Sequence, residues 1–355
     1  MRRDLEETES MRRELKVILY GVGSIGSQIA RLILKKKGLK IVGAIDASPE
    51  KAKRDLGEVI GVKKNLGVSI FQDPEKLFST VDADIAVHAT SSFLKDVYPQ
   101  LISLIEHDLN VISTCEELSY PYVADASLAS NLDELAVERG VTVLGTGVNP
   151  GFLMDTLPIV LSGVCQEIRH IRVERVIDAA KRRLQFQKKI GAGLSRGEFE
   201  KMMAEKKITG HVGLKQSIAM IADALGLNLQ RIDVKPVKPI LAEKTVKSRE
   251  ISVDSGRVAG LMQSAHGIID GRTFVTLVFK AYIGAEEEYD SISIDGTPSI
   301  QQKIKPCVHG DLATAAIVVN SIPKVINAPS GLKTMKDLPV PSAVMDDVRR
   351  YLEAH

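Results

Sequence analysis

Strands alternating with helices across residues 1–150, then strands separated by polar turns across residues 151–310, predict two domains: a parallel α/β domain followed by an α+β domain with an open, mixed sheet. Two bulk properties agree. A chain of 355 residues exceeds what one ordinary core accommodates. A composition of 44% hydrophobic and 26% charged residues is that of a globular chain, not a disordered one. Residues 311–355, with an apolar helix at 311–321 and a Pro/Gly-rich surface arm at 327–341, are expected to return to the first domain.

The elements follow from local pattern. LKVILY at 15–20 is short, apolar and rich in branched residues, and a glycine stops it, as for a buried strand. Ile29, Leu32 and Ile33 recur at helical spacing over 27–36. LKIVGAI at 39–45 is a second strand ending at Asp46. Residues 83–89, 110–113 and 141–144 read as further strands, and 95–107 and 128–139 as helices between them. After Asn149-Pro150-Gly151 the pattern changes. IRHIRVERV at 168–176 alternates like a half-buried strand, helices are expected at 196–206 and 211–225, and strands at 233–239, 249–259 and 273–282.

Several function classes are disfavoured. A net charge of +2, no Trp and no basic block interleaved with aromatics argue against nucleic acid and acidic membranes as partners. Three separated cysteines fit reduced thiols and a cytoplasmic location rather than a disulfide framework. No C-x-x-C or H-E-x-x-H spacing occurs, so no metal site is expected. Residues 1–12 are charged and lack the apolar core of a signal peptide. They read as a loose extension in which Met11-Arg12-Arg13 repeats Met1-Arg2-Arg3, and no apolar run is long enough for a membrane span.

Gly21-Val22-Gly23-Ser24-Ile25-Gly26 carries the firmest chemistry. A lone G-x-G-x-x-G is weak, but this one follows a strand, opens a helix and precedes a strand ending in an acid. Gly21 permits the turn, Gly23 lets backbone approach a pyrophosphate, and Gly26 lets the helix pack close to the strand. The helix N-terminus, with Ser24 and Ile25, offers N–H groups to phosphates. Asp46, about 20 residues past Gly26, is the expected acceptor for adenosine ribose hydroxyls, with Ala47 beside it. The reading is a Rossmann domain holding NAD, with NADP use left open because Lys51 and Lys53 lie just downstream.

Ligands of open α/β sheets sit beyond the carboxyl ends of the strands. Ala89, Thr90 and Ser91 stand there after one strand, Thr114 after the next, and all four are expected to border the nicotinamide half of the cofactor. Thr114-Cys115 leads into Glu116 and Glu117, the candidate groups for moving a proton or holding an ammonium while a hydride moves. His88 is a weaker competitor. Asn149 supplies an amide in a Gly-rich loop, with Phe152 and Met154 just beyond. In the second domain Arg175 and His211 stand out as polar residues near strand and helix ends.

GVGSIG, HATSSF, STCEELSYP, GTGVNPGF and GHVGLKQSI, in this order, resemble the 2,4-diaminopentanoate dehydrogenases and related amine dehydrogenases. The first domain is similar to that of dihydrodipicolinate reductase. HGDLATAAIVVNSIPKVINAPSGLKTMKDLP near the C-terminus also looks like this family. The resemblance spans nearly the whole chain from Leu15. It implies NAD(P)-dependent oxidative deamination of an amine or diamine, reversible as reductive amination of a ketone with ammonia, in a homodimer. It further implies that Glu116 activates the amine and that Asn149, Arg175 and His211 line the pocket. Where relatives have R-x-N, this chain has Arg175-Val176-Ile177, so Ile177 alters one pocket wall. Two other readings stay open at this level. One is a cyclic imine or enamine reductase needing no ammonia, and the other is a nucleotide-sensing protein that keeps the fold without catalysis.

Overall fold

The computed structural model describes residues 13–353, so the expected extension at 1–12 lies outside the described residues. In chain order the principal elements begin with β1 (Leu15–Tyr20), α1 (Ser24–Ile33), β2 (Leu39–Ile45), β3 (Ile70–Phe71), β4 (Ile85–His88) and α2 (Leu94–Glu106). Next come β5 (Asn110–Ser113), α3 (Ala126–Glu138), β6 (Thr142–Gly145), β7 (Glu167–Asp178), α4 (Arg196–Ala204) and α5 (Leu214–Ala224). β8 (Arg231–Val234), β9 (Lys238–Leu241), β10 (Val246–Lys247), β11 (Ser252–Val253), β12 (Val258–Ile269) and β13 (Arg272–Tyr282) follow. β14 (Tyr289–Thr297), β15 (Ile300–Ile304), α6 (Gly310–Ile326) and β16 (Gly331–Lys333) complete the set.

Two compact units result. One combines the residues through Phe152 with those from Gly310 onward, and the other is Leu153–His309. The first unit contains a seven-stranded sheet in the order β16-β6-β5-β4-β1-β2-β3, with every pair parallel. Its strand order reverses between β1 and β4, the switch point of a doubly wound sheet. The glycine fingerprint opens there. The helices bury their apolar faces by ordinary periodicity: Ile29, Ala30 and Ile33 of α1, and Leu94, Val97, Leu101, Leu104 and Ile105 of α2, are all fully buried. Leu101→Ala would cost about 2–5 kcal/mol.

The C-terminal segment differs from the surface arm that its Pro and Gly content predicts. α6 packs on α1, and β16 pairs in register with Thr142–Leu144 of β6 as the edge strand of the first sheet. Its three residues are too few to give a periodic signal.

The second unit has a mixed sheet, β15-β14-β7-β13-β12-β8, with β9 also paired to β12. β7 and β13 run parallel, and the other pairs are antiparallel. Here the sequence pattern misses more. The run 249–259 is not one strand: β11 ends at Val253, and the long β12 starts only at Val258. β12 contains Gly260 and Gly267. In the fold a Cβ at Gly260 would stand 2.0 Å from the Ala281 carbonyl oxygen, and one at Gly267 would lie 2.7 Å from Ile218, so close packing requires both glycines. β14 escapes notice because its interior apolar signal is only Ile292 and Ile294. The expected strand at 233–239 divides into β8 and β9. Among the described residues no helix is long and apolar enough to cross a membrane.

Candidate active site

Parallel register aligns the carboxyl ends of five strands of the first unit. Ile45 pairs with Tyr20, Tyr20 with His88, His88 with Ser113, and Ser113 with Gly145. The residues that follow these positions, Asp46, Gly21, Ala89, Thr114 and Thr146, therefore share one edge of the sheet. Most of the expected site residues of this unit lie on this edge or in the loops leaving it.

The fingerprint glycines serve different ends. Gly21 has φ +100°, and a Cβ there would stand 2.3 Å from the Ala89 carbonyl oxygen. A Cβ at Gly26 would stand 1.9 Å from the Gly21 carbonyl oxygen. Both are required by packing. Gly23 has φ −79°, which any residue adopts, and a Cβ there would meet nothing within 4 Å. Protein packing does not explain this glycine, whereas close approach of a ligand does. No side chain caps the start of α1, where Ser24 and Ile25 sit, so its first N–H groups suit phosphate oxygens. The site fits a dinucleotide.

Asp46 is more engaged than its position predicts. Its Oδ2 accepts from the Val22 N–H at 2.8 Å and from Lys51 Nζ at 2.9 Å, and its Oδ1 accepts from the Ser48 N–H at 2.9 Å. Burial alone would raise this carboxyl, but Lys51 and the two backbone donors hold it below its usual range. A carboxylate has about four acceptor positions, so capacity for a ribose hydroxyl remains. Lys51 also donates to the Val22 carbonyl oxygen at 3.0 Å. Ala47 is exposed.

Beyond β4, Ala89 is half-buried and Thr90 exposed, with the Thr90 hydroxyl donating to Gln100 Oε1 at 2.7 Å. Ser91 serves the start of α2: its hydroxyl donates to Asp96 and accepts from the Phe93 N–H. Beyond β5, the half-buried Thr114 donates its N–H to the His88 carbonyl oxygen at 2.9 Å. The two glutamates then separate. The Glu117 carboxylate accepts from the Leu94 N–H at 2.8 Å and so caps α2, while its own N–H donates to Ser92 O at 3.1 Å. Glu117 is therefore a helix cap rather than an alternative acid or base, because residues adjacent in a turn project differently. The Glu116 carboxylate is half-buried and has no hydrogen-bond or ion-pair partner among the described residues. Its backbone is held, since its carbonyl oxygen accepts from the Ser119 hydroxyl at 2.7 Å. The neighbouring Cys115 is no nucleophile, because burial pushes its thiol up to about 12. His88 is fully buried, and burial pushes its imidazole down to about 4, so it is not the proton-moving group either.

The loop after β6 is packed against its own backbone. A Cβ at Gly145 would lie 2.3 Å from the Leu118 carbonyl, and one at Gly151, where φ is +121°, would lie 2.5 Å from the Gly147 nitrogen. Gly145 thus lets the turn after Glu116 lie against the end of β6, a supporting role visible only in three dimensions. The Val148 N–H donates to Thr314 Oγ1 of α6 at 3.3 Å. Asn149 and Phe152 are half-buried, and Met154 is fully buried.

In the second unit, Arg175, expected to line a pocket, lies in the interior. Arg175 is 2% exposed, with Nη1 2.6 Å from Asp290 Oδ1 and Nη2 donating to the Val308 carbonyl oxygen at 2.5 Å. Asp290 Oδ2 in turn accepts from the Val308 N–H at 2.8 Å. This buried pair ties β7, β14 and the segment before α6 together, so Arg175 is an interior strut rather than an open donor. Ile177 is likewise a core residue, packed in the cluster that contains Phe279 and Leu261. The His211 ring stacks on Phe279, with centroids 4.5 Å apart and planes 11° apart, and the backbone N–H of His211 donates to Gln263 Oε1 at 2.9 Å. Burial, then the charges of Arg175 and Lys189, push the imidazole down to about 3, which leaves it neutral. Among the described residues no cluster of His, Cys, Asp or Glu is arranged to hold a metal ion.

Comparison with known proteins places the chain in a family. Residues 152–354 match the model for the 2,4-diaminopentanoate dehydrogenase C-terminal domain, and residues 15–114 match that for the dihydrodipicolinate reductase N-terminus. The chain is 35% identical to a 2,4-diaminopentanoate dehydrogenase of Acetoanaerobium sticklandii over 95% of its length and 96% of the relative's. It is 23% identical to an amine dehydrogenase of Streptomyces virginiae, over 93% and 98% of the two chains. The solved structure of an amine dehydrogenase from Mycobacterium smegmatis superposes with a TM-score of 0.80 at 26% identity, covering 92% of this chain and 97% of that one. The chain belongs to the 2,4-diaminopentanoate dehydrogenase family of nicotinamide-dependent amine dehydrogenases.

Proposed function

We propose that this chain oxidatively deaminates a small amine or diamine such as 2,4-diaminopentanoate, and in reverse aminates the ketone with ammonia, with Glu116 as the group that holds the nitrogen. The observation that carries the reading is the contrast within one turn: Glu117 is consumed as a helix cap, while the Glu116 carboxylate stays half-buried and unengaged at the ligand edge of the sheet. A carboxylate there favours an ammonium or iminium over a neutral ketone and so stabilises the charge that develops on the reacting carbon and nitrogen. The fixed backbone of Glu116 keeps that charge in place without reorganisation. When bound, the nicotinamide supplies or accepts the hydride. Gly23 and the start of α1 hold the pyrophosphate, Asp46 a ribose hydroxyl, and Ala89, Thr90 and Thr114 border the other ribose and the ring.

Both NAD and NADP are accepted in this reading. Asp46 alone would repel a 2′-phosphate, but Lys51 neutralises it and brings a cation to the same place. The sheet face of the second unit that carries Arg172, Glu174 and Lys280 is taken in this reading as the surface for a homodimer, and sedimentation at twice 38.6 kDa checks it. A cytoplasmic setting accompanies this reading, since free cysteines and a soluble amine substrate suit a reducing compartment.

The test is a screen of NAD(P)+ reduction over diamines, amino acids and simple amines, repeated in reverse with ketone, NADH and ammonia. Ammonia-dependent turnover is expected. Reduction of cyclic imines without ammonia would overturn it, as would tight NADH binding with no turnover on any amine.

A further inference from the structure

We infer that His88 is a positioning residue for the Glu116 carboxylate, acting through Ser113 and the Cys115 backbone while tying the same loop to Thr90. The inference rests on the role proposed above for Glu116. His88 lies at the end of β4, in register with Tyr20 on one side and Ser113 on the other, and is fully buried beneath the ligand edge. Both ring nitrogens are used. Nδ1 lies 2.8 Å from Ser113 Oγ, and Nε2 lies 2.7 Å from Gln100 Oε1 and 3.0 Å from Thr90 Oγ1.

The assignment starts from Gln100 Oε1, which can only accept and also takes the Thr90 hydroxyl, so Nε2 carries the ring proton and donates to it. In the neutral ring Nδ1 is then an acceptor, and the Ser113 hydroxyl donates to it while Ser113 Oγ accepts the Cys115 N–H at 3.1 Å. The imidazole in this pattern is neutral, in keeping with the downward push of its burial. One face of the ring meets Tyr20 at a centroid distance of 5.4 Å, which fixes its tilt.

The consequence is a connection between two loops that local sequence does not link. At one end the chain of bonds reaches Thr90, beside the cofactor loop, and at the other it reaches the N–H immediately before Glu116. Backbone bonds from Thr114 to His88 O and from Glu117 to Ser92 O run alongside it. A turn held at Cys115, at the Glu116 carbonyl and at Glu117 leaves the Glu116 side chain as its one projecting group. A small rotation of that turn would move the carboxylate relative to the nitrogen it holds, which is enough to lose about 10²-fold in rate.

The test is a double-mutant cycle on the full chain, with the best amine from the screen. His88→Leu removes both ring nitrogens, and Ser113→Ala breaks the middle link and serves if His88→Leu does not fold. His88→Asn is the rescue variant, because its amide oxygen takes the place of Nδ1 as acceptor for Ser113. His88→Leu and Ser113→Ala are each expected to lower kcat/KM for the amine about 10–100-fold, mainly through kcat, with the NADH Kd within about twofold of the unmodified chain. His88→Asn is expected to recover most of that loss. In a Glu116→Gln background the same substitutions are expected to change the residual rate less than about twofold, since the group they position is gone.

Equal losses in both backgrounds would overturn the inference and leave His88 a structural residue. So would a weakened NADH Kd with amine kcat unchanged, or failure of His88→Asn to recover activity. No amine turnover by the unmodified chain would overturn the proposed function as well. Turnover that is lost in Glu116→Gln and untouched in the His88 and Ser113 variants would overturn this inference alone.

Discussion

The two units present their polar groups in opposite ways. In the first unit, the candidate chemistry lies at strand ends and is built from backbone and one-turn loops: the Gly21–Gly26 loop, Asp46 and the Glu116 turn all leave the same sheet edge. In the second unit, the most conspicuous polar residue, Arg175, points inward and is satisfied by Asp290, 115 positions away. A strand-end loop keeps its groups open because the sheet beneath it has already satisfied the neighbouring backbone. A charged residue in the middle of a seven-stranded sheet has no such freedom and must find its partner in the interior.

Arg175→Ala probes this difference most severely. It would leave Asp290 buried without its cation, and about 3–5 kcal/mol of unfolding free energy is expected to be lost, measured by denaturant titration. A loss below about 1 kcal/mol would mean that Arg175 is not a strut. In the first unit the corresponding change should alter chemistry and leave the fold intact. Glu116→Gln is expected to lower amine kcat/KM by about 10²–10³-fold with NADH binding unchanged. Glu117→Gln should retain most activity and lower Tm by a few degrees, as loss of a helix cap does. A reversed pair of results would exchange the two assignments.

A finer contrast lies within the glycine loop. Gly26→Ala forces a Cβ onto the Gly21 carbonyl and is expected to destabilise by about 1–3 kcal/mol. Gly23→Ala meets open space, so Tm should hold while the Kd for NADH rises, both readable in one fluorescence titration and thermal melt. Lys51→Ala should shift the ratio of NADP+ to NAD+ kcat/KM toward NAD+ by about tenfold, because Asp46 would face a 2′-phosphate unneutralised. An unchanged ratio would remove Lys51 from the cofactor site.

A graded effect concerns acid. His88 has a folded pKa of about 4 against an ordinary 6.5, so the unfolded chain takes up the proton first. Stability from this group is present above pH 6.5 and is lost as pH falls, by about 1.4 kcal/mol per pH unit down to the folded pKa. Urea titrations between pH 6.5 and 5 should show that slope, and His88→Asn should reduce it.

By itself the sequence determined β1, the glycine loop, α1, β2 and Asp46, and with them the parallel sheet and its ligand edge. These elements depend on near neighbours: a run of branched apolar residues, a turn only glycine makes, a periodic helix face. Glu116 was legible as one of a pair, because two carboxylates at a strand end are visible without coordinates. Only tertiary structure shows how the two differ in their partners: the Leu94 N–H takes Glu117, and the Glu116 carboxylate has no such partner among the described residues. It likewise paired Lys51 with Asp46, turned Arg175 inward, moved Ile177 and Met154 into the core, and joined His88 to Ser113. The short β16 and the glycine-bearing β12 belong to the same class. Which side chain meets which is set by sheet order and register, where a slip of one residue turns every side chain to the other face. Periodicity records that a strand exists and leaves unrecorded the strand beside which it lies.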